Sequence, residues 1–448
     1  MTPIAVRYIL RSCKVKSADL GLCHSHQIGG RMTIFDPTRP RPERLPSPSF
    51  ADAMLMDVAR RVQLSPTKHD EAQQHFEALC SYVDRPGSPL EDKVIACYPG
   101  GSFATGTAIA SSVSKDQHDV DVVMELDVPT NSNPETILNL LFEAINAEPG
   151  SRYHGRVVRN SRCVTVEYDD GVRVDLMPIA RLDAAPEKAG HLFHFKRQPP
   201  ESYHKPVNPW GFADHFNAQT AYDPVFAAIF ESRSLADGRT VAKADVDPLP
   251  DRVPLSEKAA RVVALQLIKR NRDVRYRNRS KRKPPSVVLA ALALEVPPTG
   301  AGLLEEVVSI SRYIARRLQE QSAHNLCIDV RNPAYVPDVF TDRWPTALPD
   351  QNEYVRDLEY LVRQLVRLRT ENISLTETNT ILDDLFGETA AKYAIKEHMD
   401  RSRAAMEKGA MRFGPTGRVH AGVTAAAVAT YCTPARASTN MGGEWFLD

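Results

Sequence analysis

The stretch Lys93-Val-Ile-Ala-Cys-Tyr98-Pro99-Gly100-Gly101-Ser102 is a short apolar run that breaks into a glycine turn. A strand feeding such a turn brings backbone N–H groups close to an anion, a setting in which phosphates are held. Downstream, Asp119-Val120-Asp121 opens a run to Leu126 in which acidic and apolar residues alternate at first. That period of two places Asp119 and Asp121 on one face of a strand. Further on, Arg162 to Tyr168 and Val172 to Ile179 read as two strands joined at Asp169-Asp170-Gly171, a hairpin signal, with Asp175 inside the second. Each feature alone has a plain structural reading: a turn, a solvated acidic edge, a satisfied buried acid. Their convergence predicts a nucleotidyl-transfer site.

The chemistry explains why these residue types belong together. Displacing pyrophosphate builds negative charge on the attacking and leaving oxygens, and two divalent ions about 3.5 to 4 Å apart stabilise both. Hard cations of the magnesium type take carboxylate oxygens, and aspartates at i and i+2 present theirs to one side. Asp175, arriving from a neighbouring strand, would ligand the metal near the attacking hydroxyl and help remove its proton. Gly100 and Gly101 admit backbone N–H groups to the β- and γ-phosphates, and the Ser102 hydroxyl adds a donor.

Around this centre the chain divides. Pro37, Pro40, Pro42, Pro46 and Pro48 forbid regular structure, so residues 1–49 read as an extended or mobile arm. Translation from Met32 would leave residues 1–31 outside the natural protein. Helical spacing begins near Phe50 and restarts after Ser65-Pro66, an N-cap followed by proline at N1. A further helix spans about Pro134 to Ala147, and residues 50–185 form the expected catalytic lobe. Beyond 185 the pattern is mainly helical, near 222–234, 256–273, 285–294, 300–320, 351–371 and 389–412. This gives a helical second lobe over 186–412 and a tail over 413–448 rich in Gly, Ala and Thr.

Composition narrows the function classes. Lys+Arg 56 against Asp+Glu 56 gives a formal net charge of +0, which disfavours a surface that coats nucleic acid. No stable nucleic-acid complex is expected. The seven cysteines are odd in number and scattered, so no disulfide framework is indicated, and Cys23-His24-Ser25-His26 lacks a second pair at zinc-finger spacing. No apolar run is long enough for a membrane span and no signal peptide opens the chain, which makes the cytoplasm the expected compartment.

Gly101-Ser102-Phe-Ala-Thr-Gly106-Thr107, Asp119-Val-Asp121, Val174-Asp175-Leu176 and Asn208-Pro209-Trp210-Gly211-Phe212 together resemble the cGAS/DncV-like nucleotidyltransferases of bacterial anti-phage defence. The resemblance covers about residues 50–412. It implies an α+β, bilobal enzyme: a polymerase-β-like lobe with a mixed sheet, and a helical C-terminal lobe. It further implies synthesis of cyclic di- or trinucleotides from ATP, GTP or other nucleoside triphosphates with two magnesium ions, manganese being the alternative. An effector activated by the product would act downstream. Catalytic and metal-binding roles fall to Asp119, Asp121 and Asp175, and triphosphate binding to Gly101, Ser102, Lys269 and Ser286. The interval from Phe103 to His118 is longer than the family's usual one and reads as an extended loop around Ser111 to Gln117.

From Lys269 to Lys283 nine basic residues face only Asp273. Apart from Lys269, this run reads as a solvated or partner-facing surface. Glu125, on the face of Asp119 and Asp121, reads as a structural acid, His118 as a neighbour of the acidic pair, and the three tryptophans as packing residues. Rival readings are a synthase of linear oligonucleotides, a protein or RNA nucleotidyltransferase of the same fold, and a catalytically inactive nucleotide-binding module. Three like charges gathered without use would cost stability, which argues against the last.

Overall fold

The computed structural model describes residues 48–110, 118–146, 148–183, 186–220, 223, 226 and 258–407, with the backbone of 411–413 and 419–421. The N-terminal arm, the loop 111–117, nearly all of the helix expected near 222–234, and most of the tail with Trp445 lie outside the described residues.

Helices α1 (Phe50–Val62) and α2 (Pro66–Val83) begin where the sequence signals them. Ser65 Oγ accepts from the Lys68 N–H at 3.2 Å, and Pro66 follows at N1. Next come β1 (Val94–Pro99), α3 (Gly101–Ala104), β2 (His118–Leu126), α4 (Pro134–Asn146), β3 (Val157–Arg159), β4 (Val164–Glu167) and β5 (Val172–Arg181). The mixed sheet runs β1-β2-β5-β4-β3. Only the β2–β5 pairing is parallel; the remaining pairings of this sheet are antiparallel. Along β2 the alternation holds: Val120, Val122 and Met124 are buried against residues of α2 and α4, while Asp119, Asp121 and Val123 occupy the other face.

The sheet does not stop where the helical pattern begins in the sequence. β6 (Gly190–Lys196) pairs with the last residues of β5, and β7 (Glu201–Val207) pairs with β6. The mainly helical reading of the region beyond 185 passes over these two strands. β7 carries Ser, His, Lys and Pro206 with no apolar alternation, a composition an edge strand tolerates because one side needs no ladder partner.

Then follow α5 (Pro209–Gln219), α6 (Ala260–Arg275), α7 (Ser286–Leu294), α8 (Leu303–Ala323), β8 (Arg331–Asn332), β9 (Tyr335–Val339), α9 (Leu348–Thr370), α10 (Leu375–Phe386) and α11 (Glu388–Glu407). The backbone ends in the pair β10 (Met411–Phe413) and β11 (Val419–Ala421). The sequence reading passes over α10, although Ser374 caps it by accepting from the Glu377 N–H at 3.1 Å. Gly387, at φ 88°, separates it from α11, a conformation that favours glycine. Val263, Leu265, Leu267 and Ile268 of α6 are buried in the helical core. Met54, Leu55 and Val58 of α1 join the same core, so the first helix packs with helices far along the chain.

Candidate active site

The parallel register of β2 and β5 sets Asp121 directly opposite Asp175, and Asp119 opposite Arg173. Adjacent strands lie about 4.8 Å apart, so the pairing converts two distant sequence motifs into one acidic cluster. Burial first, then the Asp175 and Asp119 carboxylates, push the Asp121 carboxyl up to about 6; Lys269 and the Ser102 N–H oppose the shift. Burial also raises Asp175, against a hydrogen bond from Thr165. Asp119 is more exposed and has a cationic neighbour, Arg173 Nη1 at 4.0 Å from its Oδ1.

The glycine turn is fastened to this strand. The Gly100 N–H donates to the Asp121 carbonyl at 2.8 Å. Gly101 has φ +50°, and a Cβ there would stand 1.9 Å from Asp121 Oδ2, so only glycine lets the turn lie against the carboxylate. Thr105 Oγ1 donates to the Gly101 carbonyl at 3.1 Å and lies 2.9 Å from Thr107 Oγ1.

Helix α6 grips the residues that leave the turn. Lys269 is buried, and its Nζ donates to the Thr107 carbonyl at 2.7 Å. Gln266 Nε2 donates to the Ala108 carbonyl at 3.0 Å, and Arg270 Nη1 to that of Ala110 at 3.2 Å. Burial and then Arg272 push the Lys269 ammonium down to about 7, while Asp273 and Asp121 favour its charge. Ser286 opens α7, and its Oγ accepts from Arg272 Nη1 at 3.1 Å. Between the two sides lies a cleft of about 1200 Å³. Gly100, Gly101, Ser102 and the three aspartates line one wall, Lys269, Arg272 and Ser286 another, and Met177, Leu192 and Phe212 supply apolar surface.

The basic run divides: Arg270 and Arg272 are buried, Arg277, Lys281, Arg282 and Lys283 are exposed as a solvated surface would be, and several of its members are ion-paired within the chain. Arg275 pairs with Asp384 at 2.5 Å, Arg279 with Asp357 at 2.6 Å, Lys281 with Asp350 at 3.1 Å, and Lys283 with Asp273 at 2.8 Å. The acids sit on α6, α9 and α10, and the sequence hides this because three of them lie far downstream. Glu125 is fully buried and ion-paired with Arg181, a structural acid. Trp344 is buried; Trp210 is partly exposed beneath the Lys188 ammonium, 3.2 Å from its ring centroid. The Asn208-Pro209-Trp210-Gly211 segment is a helix cap. Asn208 Oδ1 accepts from the Gly211 N–H at 2.8 Å, and a Cβ on Gly211 would come within 2.8 Å of Asn208 Nδ2. Sequence reasoning missed Thr165 and Arg173, which reach the aspartates only through strand register.

The donor set fits a hard divalent cation in kind: three carboxylates, with no thiolate or imidazole needed, and an Asp121 whose ionisation its neighbours resist. Among the described residues, no group of three or more His, Cys, Asp or Glu side chains is gathered tightly enough to hold a metal as it stands. Thr165 holds Asp175, Arg173 draws on Asp119, and the like charges repel.

Residues 51–192 match the model of the Second Messenger Oligonucleotide or Dinucleotide Synthetase domain. The cyclic dinucleotide synthase CdnG of Bradyrhizobium diazoefficiens is 34% identical over 410 residues, covering 89% of this chain and 96% of that protein. A c-di-GMP synthase of Roseivirga ehrenbergii is 22% identical over 298 residues, 65% of this chain and 72% of the relative. The structure of the B. diazoefficiens CD-NTase CdnG in complex with GTP superposes with a TM-score of 0.67 at 33% identity, covering 78% of this chain and 99% of that one. No described helix is long and apolar enough to cross a membrane. A bilobal α+β nucleotidyltransferase with an acidic strand pair over a glycine turn, matched along nearly the whole of CdnG, this chain belongs to the cGAS/DncV-like nucleotidyltransferase (CD-NTase) family of cyclic oligonucleotide synthases.

Proposed function

We propose that this enzyme joins nucleoside triphosphates, ATP and GTP foremost, into a cyclic di- or trinucleotide, releasing pyrophosphate at each bond. The observation that carries this reading is the in-register pair Asp121 and Asp175, with Asp119 beside them, facing Lys269 and Ser286 across one cleft. The names of the relatives and the GTP bound to CdnG support the substrate class. Ser102 and the Gly100-Gly101 backbone hold the donor triphosphate from below, and Lys269 and Ser286 from above. Asp175 accepts the proton of the acceptor ribose hydroxyl as that oxygen bonds to the donor α-phosphorus and the bond to pyrophosphate breaks. Asp119, Asp121 and Asp175 would hold magnesium, or manganese in its place, and the bound ion would supply positive charge to the attacking and leaving oxygens. The linear product then reorients in the same cleft and closes. The catalytic lobe would run through the end of β7 at Val207, beyond the division expected near residue 185, because β6 and β7 continue its sheet, and the product would act on a separate effector in cytoplasmic anti-phage defence.

Mass spectrometry of the product made from all four ribonucleoside triphosphates tests the reading. A phosphatase-resistant cyclic oligonucleotide is expected, and the Asp119→Ala/Asp121→Ala double variant should yield none. A linear product alone, a requirement for a protein or RNA acceptor, or product from the double variant would contradict it.

A further inference from the structure

Asp175 has a second neighbour in register, on the side away from Asp121. Strand β4 places Thr165 opposite it, 1% exposed, and Thr165 Oγ1 donates to Asp175 Oδ1. The same hydroxyl accepts from Asn160 Nδ2 at 2.7 Å, and Asn160 is held in its turn by its own N–H, which donates to the Cys163 carbonyl at 2.9 Å. An amide nitrogen only donates and a hydroxyl has one proton, so the Asn160 contact leaves that proton to Asp175. The direction of the chain is therefore fixed, from amide to hydroxyl to carboxylate. The β-branched Thr165, stiff at χ1 and fully packed, has little freedom to swing away. The need for such a hold is electrostatic: Asp119 and Asp121 repel Asp175, and an untethered carboxylate would turn from them.

We propose that Asn160 and Thr165 are a positioning pair that ties one carboxylate oxygen of Asp175 and presents the other to the cleft, where the acceptor hydroxyl arrives. Neither side chain needs to touch substrate. The proposal rests on the role assigned to Asp175 above and adds residues that the motifs do not contain.

The test compares Thr165→Val, which keeps the shape and removes the donor, with Thr165→Ser, which keeps the donor. A misplacement of about 1 Å at a reacting group costs on the order of 100-fold, so Thr165→Val should lose roughly 30- to 100-fold in kcat with KM for triphosphate changed by less than about twofold. Thr165→Ser should stay within about fivefold of the native kcat, since it retains the hydrogen bond. Independently of turnover, a Mn²⁺ titration followed by electron paramagnetic resonance, with a non-hydrolysable triphosphate present, should show weaker binding in Thr165→Val and not in Thr165→Ser. Equal impairment of the two variants, or native kcat and Mn²⁺ affinity in Thr165→Val, overturns the proposal. Should Thr165→Val not fold, the exposed Asn160→Ala carries the test: a fall of roughly three- to tenfold in kcat at constant KM supports the pair, and an unchanged kcat overturns it. Asp175→Asn separates the two levels. If it turns over normally, the role of Asp175 itself fails; if it is inactive while Thr165→Val is native, the positioning pair alone fails.

Discussion

Replacing Asp121 by Asn should abolish activity and yet stabilise the metal-free protein. The Asp121 carboxyl titrates at about 6 in the folded chain against an ordinary 3.8, chiefly through burial and then through Asp175 and Asp119. At about 1.4 kcal/mol per pH unit, that gap corresponds to about 3 kcal/mol. Its sign follows from proton counting. Between 3.8 and 6 the folded chain binds the proton that the unfolded chain has released, so unfolding free energy falls as pH rises through this window. Below 3.8 the carboxyl is protonated in both states and the penalty vanishes; above about 6 it is present in full. Asn keeps an acceptor for the Ser102 N–H and carries no charge, so Asp121→Asn removes the penalty. With chelator present at pH 7.5, the variant's thermal midpoint should exceed the native one by roughly 4 °C for a protein of this size, and the difference should close at pH 3.5. Scanning calorimetry across that pH range is the assay. A variant less stable than the native protein at pH 7.5, or a gain equally large at pH 3.5, would refute the electrostatic account and leave the acidic cluster as an ordinary packed strand.

Other perturbations separate binding, turn geometry and stability. Gly101→Ala forces a side chain into φ +50° and onto Asp121 Oδ2, so turnover should fall by on the order of 100-fold while urea denaturation registers a loss of about 1–2 kcal/mol. Lys269→Met should raise KM for triphosphate by roughly tenfold or more. Because the native ammonium titrates at about 7, triphosphate affinity should weaken as pH rises from 6 to 8, and calorimetry in buffers of different ionisation enthalpy should detect proton uptake on binding at pH 8. Glu306 is buried, accepts from Arg261 Nε at 3.0 Å and from the Thr299 hydroxyl at 2.9 Å, and does not line the cleft. Glu306→Ala should therefore cost about 3–5 kcal/mol in urea denaturation, by stranding the guanidinium, without a change in KM.

What the sequence discloses and what it hides divides along the difference between local chemistry and register. Asp119, Asp121 and Asp175 are legible because a period of two, a hairpin turn and a carboxylate are all written in adjacent letters. Gly101 is legible for a similar reason, although the contact that requires glycine, Asp121 Oδ2 against its missing Cβ, comes from β2, further along the chain. Thr165 is not legible: a threonine in a Val-Thr-Val-Glu strand is ordinary, and its tie to Asp175 exists only because β4 aligns these two residues. The internal ion pairs of the basic run are hidden for the same cause. Arg279 has no acid nearby in sequence, and Asp357 reaches it from α9. Lys269 marks the boundary case, since spacing places it on a helix and only family resemblance points it toward phosphate, while its contact with Thr107 spans two halves of the chain. Zero net charge conceals the same division. Carboxylates are concentrated by β2 and β5, cations by α6, and the field across the cleft that suits a triphosphate arises from pairing and packing that no count of charges contains.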